Sequence, residues 1–166
     1  MQESEFEDYV RARAHRLRGA AFALCGDWHH AEDLVQTALV RAHPALLAGR
    51  AHDPDSYVAR TMINAHRSWR RRLWHGEQPW ARPPDGVADA GVDVDLVLAV
   101  RAALSELPRL HREVLALRYL LDLSEQRTAD VLGISPGTVK SRTSRALHQL
   151  RQLDAVNDLF EVSRDA

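Results

Sequence analysis

The chain has 166 residues and a formal net charge of −1, with 22 Lys and Arg against 23 Asp and Glu. That length allows one domain or two small ones. A single cysteine, Cys25, excludes an internal disulfide and any cysteine-rich zinc site, and no apolar run approaches the roughly 20 residues of a membrane span.

The balanced total hides segregation. Arg60, Arg67, Arg70, Arg71 and Arg72 share a stretch with no acid before Gly76. Residues 77–95 are acidic, with Arg82 the lone base, and no acid occurs between Pro136 and Leu153. Two basic surfaces either side of an acidic connector suggest two contacts with a polyanion. The opening MQESEFEDY lacks the basic and apolar regions of a signal peptide, so a soluble cytoplasmic protein is expected.

Residues 4–24 place Phe6, Tyr9, Val10, Ala14, Leu17, Ala21 and Leu24 at helical spacing, with Gly19 able to kink or divide the segment. Gly26 and Asp27 break it, and Asp27 can cap the next helix. Ala31, Leu34, Val35, Ala38, Leu39 and Ala42 then form an apolar stripe that should end near Pro44. Its outer face carries Glu32, Asp33, Gln36, Thr37 and Arg41. Asp53 and Pro54 open a third helix, whose apolar face is Val58, Thr61, Met62, Ala65, Trp69 and Leu73. These helices can bury one core, giving a first domain over residues 1–75. The third helix ends in HRSWRRRLWHG: arginines for phosphates, with Trp69, Trp74 and Trp80 able to stack on bases. Trp69 can equally be a core residue, and the arginines a solvated end that favours the helix C-terminus.

Residues 76–94, rich in Pro, Gly, Ala and Asp, read as a flexible linker. Helical spacing resumes with Leu96, Val97, Val100, Leu104 and Leu107, and after Pro108 with Leu110, Val114, Leu115, Leu117 and Leu121. LSEQRTADVLGISPGTVKSRTSRALHQLR (123–151) then reads as a helix-turn-helix. Ser124 can cap its first helix, and Gly133 can take the positive φ that ends it. Ser135 caps the second, with Pro136 at its first position. Val139, Ala146, Leu147 and Leu150 form the buried face; Lys140, Ser141, Arg142, Ser144, Arg145 and Arg151 form the other. A basic, hydroxyl-bearing helix after such a turn suits a DNA major groove. The expected fold is all-α: two small helical domains, 1–75 and 95–153, joined by the linker, with a tail over 154–166.

Several stretches resemble the sigma-70 family of bacterial transcription initiation factors, in its extracytoplasmic-function (ECF) group. HHAEDLVQTALVRAH (29–43) is similar to region 2.2, and SYVARTMINAHRSWRRR (56–72) to regions 2.3 and 2.4. LSELPRLHREVLALRYLLDLS (104–124) resembles region 4.1, and the helix-turn-helix region 4.2, with GTVKSR (137–142) its most specific piece. The Trp and Arg run after region 2.3 looks closest to the actinobacterial SigE-like sub-group. The resemblance implies binding to core RNA polymerase, at the β′ clamp helices and the β flap, and to promoter DNA, without cofactor, metal or catalytic residue. Glu32, Asp33 and Gln36 would contact polymerase. Thr138, Lys140, Ser141, Arg142, Ser144 and Arg145 would meet the −35 element, with Thr138 and Arg142 on phosphates. Asn64, Arg67, Ser68, Arg71, Arg72 and Trp74 would meet the −10 element, and Leu73 to Gly76 would form the loop that receives a flipped base. The exposed helix faces leave room for an anti-sigma factor. Ser68 departs from the Asp or Asn of many members. Thr128 and Thr143 stand where larger aliphatic residues are usual; each hydroxyl needs a partner if buried, and a helix carbonyl one turn back could accept it.

The main alternative is a stand-alone helix-turn-helix regulator, which would not need the polar outer face of the second helix. A metalloenzyme built on His29, His30, Glu32 and Asp33 lacks any His-Glu-x-x-His or Glu-x-x-His pattern, and no Gly-x-Ser-x-Gly elbow supports a hydrolase.

Overall fold

The computed structural model describes residues 1–73 and 94–153. Among these residues the chain forms seven α-helices, one π-helical turn and no strand. The first three are α1 (Glu3–Cys25), α2 (Trp28–Leu47) and α3 (Pro54–Leu73). Asp27 caps α2 by accepting from the His30 N–H at 2.9 Å, and Asp53 starts α3 by accepting from the Ser56 N–H. Gly19 does not divide α1. Leu17, Ala20 and Ala21 around it are buried, and that packing outweighs the cost of about 1 kcal/mol for a mid-helix glycine. Helix α2 runs through Pro44 instead of ending there. Pro44 deprives the Val40 carbonyl of its donor, but Val40 is 73% exposed and water can serve it, while Leu46 anchors the last turn in the core.

The second half holds α4 (Val94–Glu106), α5 (Arg109–Leu115), a π turn (Ala116–Leu120), α6 (Glu125–Leu132) and α7 (Pro136–Arg151). The single helix expected over 110–121 is thus interrupted. The Leu121 N–H reaches back to the Ala116 carbonyl at 3.0 Å, and the extra residue resets the helical phase. Leu117 and Leu123 are both buried as a result, while Tyr119 and Leu120 face solvent. Val100, expected in the apolar stripe of α4, is exposed.

The expected break between domains falls between α3 and α4, yet the apolar core runs across it. Leu17, Leu24, Met62 and Ile63 belong to the same buried cluster as Val114, Leu117, Leu123, Ala129 and Leu132. Helix α1 packs on α5 and the π turn, and α3 packs on α6. A smaller cluster of Leu107, Leu115 and Ala146 ties α7 to α5.

Candidate nucleic-acid interface

The turn between α6 and α7 is set by its own residues. Ser124 accepts from the Arg127 N–H at 3.2 Å and so caps α6. Gly133 ends that helix at φ 69°, a left-handed conformation that costs glycine little, with its N–H on the Ala129 carbonyl at 2.8 Å. Ser135 caps α7 by accepting from the Thr138 N–H at 3.1 Å, and its hydroxyl also bonds that of Thr138. Ala129 and Val139 are fully buried where the two helices meet.

This leaves one face of α7 open. Lys140, Ser141, Ser144 and Arg145 are exposed, and Thr138 and Arg142 are half-buried at its edge. The Ser141 hydroxyl donates to the Thr138 carbonyl at 3.1 Å, which leaves its oxygen free to accept. Among the described residues no carboxylate pairs with Lys140, Arg142 or Arg145.

Helix α3 presents the second basic group. Asn64, Arg71 and Arg72 are exposed, and Ser68 accepts from Arg72 at 3.4 Å. Arg67 is different. Its Nε and Nη2 donate to Glu113 at 3.1 and 2.6 Å, and that carboxylate is fully buried and also receives Arg109 at 2.6 Å. The carboxylate in turn holds the Arg67 guanidinium above its usual pKa. Arg67 is therefore committed to the other half of the chain. Trp74, Trp80 and the loop from Leu73 to Gly76 fall on or beyond the limit of the described residues. Trp69 is half-buried, its ring 4.5 Å from that of His30. With Asp33, Thr37, Arg41 and Arg72 it lines a hollow of about 330 Å³ between α2 and α3. Glu32, Asp33 and Gln36 are all exposed on the outer side of α2.

The two threonines behave differently. Thr143 donates to the Val139 carbonyl at 2.8 Å, one turn back. Thr128 is fully buried, and its hydroxyl has no partner among the described residues, which corrects the expectation of a carbonyl bond there. Among the described residues no cluster of three or more His, Cys, Asp or Glu could hold a metal, and no helix is long and apolar enough to cross a membrane. Burial, first of all, pushes the Cys25 thiol up to about 12 and the His66 imidazole down to about 4; their side chains meet at 3.8 Å.

Sequence motifs did not reveal the polar contacts that join the halves. Besides Arg67–Glu113, Arg127 pairs with Asp53 and bonds Ser56, and Arg60 donates to the Asp130 carbonyl at 2.8 Å. One signal was present: Glu113 stands three residues after Leu110 and four before Leu117, on the apolar face of its helix.

Two family models match the chain: sigma-70 region 2 over residues 9–76 and sigma-70 region 4 over residues 98–150. The RNA polymerase sigma-E factor of Streptomyces coelicolor is 36% identical over 165 residues, covering 93% of this chain and 89% of that protein. The factor of the same name from Streptomyces avermitilis is 38% identical over 154 residues, covering 89% and 84%. The ECF sigma factor SigL of Mycobacterium tuberculosis is 36% identical over 138 residues, covering 79% and 78%. Among solved structures, the sigma factor RpoE of Bartonella quintana, in complex with the anti-sigma factor NepR, matches in fold with a TM-score of 0.73 at 24% identity, covering 89% of this chain and 95% of that one. Matched at both ends and along nearly its whole length, the chain belongs to the sigma-70 family of RNA polymerase sigma factors, in its extracytoplasmic-function group.

Proposed function

We propose that this chain binds core RNA polymerase in the cytoplasm, directs it to promoters and aids strand opening, without a catalytic residue or cofactor. One observation carries the assignment. The open face of α7, with Lys140, Ser141, Ser144 and Arg145 exposed and no carboxylate on it, has the groups that read base edges. Thr138 and Arg142 at its rim suit phosphates, which position a protein without specifying sequence. The end of α3, with Asn64, Ser68, Arg71 and Arg72, is the second contact, at the −10 element. Arg67 joins it once its bond to Glu113 is released. The exposed Glu32, Asp33 and Gln36 on α2 form the polymerase-facing surface at the β′ clamp helices, and the 95–153 half docks near the β flap. An anti-sigma factor would compete for these same exposed faces.

Each base contact is worth roughly 1–3 kcal/mol, so two short elements must be read together. Polymerase supplies the second tether and makes the second contact intramolecular. The deciding experiment is transcription in vitro with core polymerase on a library of randomised −35 elements. The native chain should select a consensus, and Arg145→Ala should lower output and change the base preferred at one position. An unchanged −35 preference would remove Arg145 from the reading surface. A gel shift without polymerase separates a stand-alone regulator, which binds tightly alone, from a sigma factor, which binds poorly.

A further inference from the structure

Packing of the two halves creates a cleft that neither half contains alone. Its volume is about 430 Å³, within the range of small-ligand sites. Helix α3 contributes Arg67, Arg70 and Arg71; α5 contributes Arg109 and Leu110; the helix-turn-helix contributes Ile134 and Arg142. Five arginines thus line one space. Among the described residues, the one carboxylate bonded to any of them is Glu113, buried behind Arg67 and Arg109. Arg70, Arg71 and Arg142 have no carboxylate partner among the described residues. The crowding is felt nearby: burial and then Arg70 hold the Arg112 guanidinium down to about 10, and the same two causes act on His66.

Like charges gathered this closely oppose the packing that gathers them, unless an anion joins them. The planar fork of arginine fits phosphate oxygens two at a time. Among the described residues the three guanidiniums of Arg70, Arg71 and Arg142 lack a carboxylate, and together they carry more positive charge than one phosphate offsets. We propose that this cleft binds an oligophosphate, two or more linked phosphate groups, and that the bound anion ties the two halves of the chain together. Leu110 and Ile134 give the cleft an apolar rim, against which the ring of a nucleoside oligophosphate can lie. Arg67, Arg71 and Arg142 are also proposed to serve DNA, so occupancy of the cleft and engagement of a promoter by the same side chains exclude each other.

The test is calorimetric titration of the full chain with inorganic triphosphate, and separately with a nucleoside triphosphate, at fixed ionic strength. One saturable site is expected, with a raised melting temperature and slower amide exchange where α3 meets α6. Arg70→Ala and Arg142→Ala, one from each half, should each weaken binding about tenfold or more. Arg11→Ala, which removes an exposed arginine of α1, should leave it unchanged. Equal affinity for the two ligands assigns the site to the phosphate chain alone; tighter binding of the nucleoside adds the apolar rim. Should an alanine variant fail to fold, Arg70→Lys and Arg142→Lys keep the charge, lose the fork and should weaken binding several-fold. Absence of a saturable site, an equal loss in Arg11→Ala, or unaltered exchange between α3 and α6 overturns the proposal. Neither polymerase nor promoter is needed, so a negative result leaves the role in transcription standing.

Discussion

Replacing Glu113 by Gln should loosen the contact between the halves while each half stays folded. The carboxylate is fully buried and receives three hydrogen bonds, two from Arg67 in the first half and one from Arg109 in its own helix. Breaking a buried ion pair by removing one partner costs roughly 3–5 kcal/mol when the survivor stays buried. Here the survivors are arginines whose side chains are 31% and 38% exposed, so both can turn to water. Gln also keeps one acceptor. A cost of roughly 1–3 kcal/mol is the reasonable range, and most of it falls on the packing, because Arg67 comes from the other half. Each 1.4 kcal/mol is about a tenfold change in population, so transient separation should rise roughly five- to hundredfold. Amide hydrogen exchange reads this directly. Faster exchange is expected in α3 and α6 and along the contact of α1 with the π turn, while the interior of α2 stays protected. Release of Arg67 should also add about one phosphate contact, steepening the salt dependence of non-specific DNA binding by about one unit of slope. Native-like exchange together with an unchanged salt slope would refute the view that this ion triad holds the halves together.

Three more side chains give outcomes of their own. Asp33→Arg, on the exposed side of α2, should weaken binding to core polymerase by tenfold or more in a pull-down titration, with DNA binding by the free chain unaltered or improved; equal polymerase affinity would argue against that surface. Thr128→Val, nearly the same shape, should stabilise the chain by about 1 kcal/mol, because it removes a fully buried hydroxyl that lacks a partner; a lowered melting temperature would show that the hydroxyl is bonded after all. His66 is held neutral, its pKa lowered from 6.5 to about 4, chiefly by burial. The unfolded chain therefore binds the extra proton first. Its contribution, at most about 3 kcal/mol, is fully present above pH 6.5 and is lost as pH falls toward 4. Urea titrations between those limits should show that loss, and His66→Gln should flatten it.

The helix-turn-helix was legible almost residue by residue, because caps and turns are set by local chemistry. Ser124, Gly133, Ser135 and Pro136 stand at the positions their backbone preferences require. The open basic face of α7 came from the same periodicity that buried Val139 and Ala146. The features that sequence reading missed lie beyond a helical turn in range. No local rule places Arg127 of α6 against Asp53, 74 residues earlier, or takes Arg67 out of a basic run to meet Glu113. Pro44 and the π turn were misjudged for a related reason. Local signals there called for a helix end and an unbroken helix, and the fit of Leu46, Leu117 and Leu123 in the core prevailed.

Two of the ion contacts that α3 makes with the second half, one at each end, have opposite polarity. At its start the helix offers acid, Asp53, to Arg127; near its end it offers base, Arg67, to Glu113. Reversed docking would set arginine against arginine and carboxylate against carboxylate. The pairs thus act as a key that admits one orientation of the second half. Fourteen residues at about 1.5 Å each put the two points roughly 21 Å apart. A pair of anchors that far apart resists rocking as well as sliding.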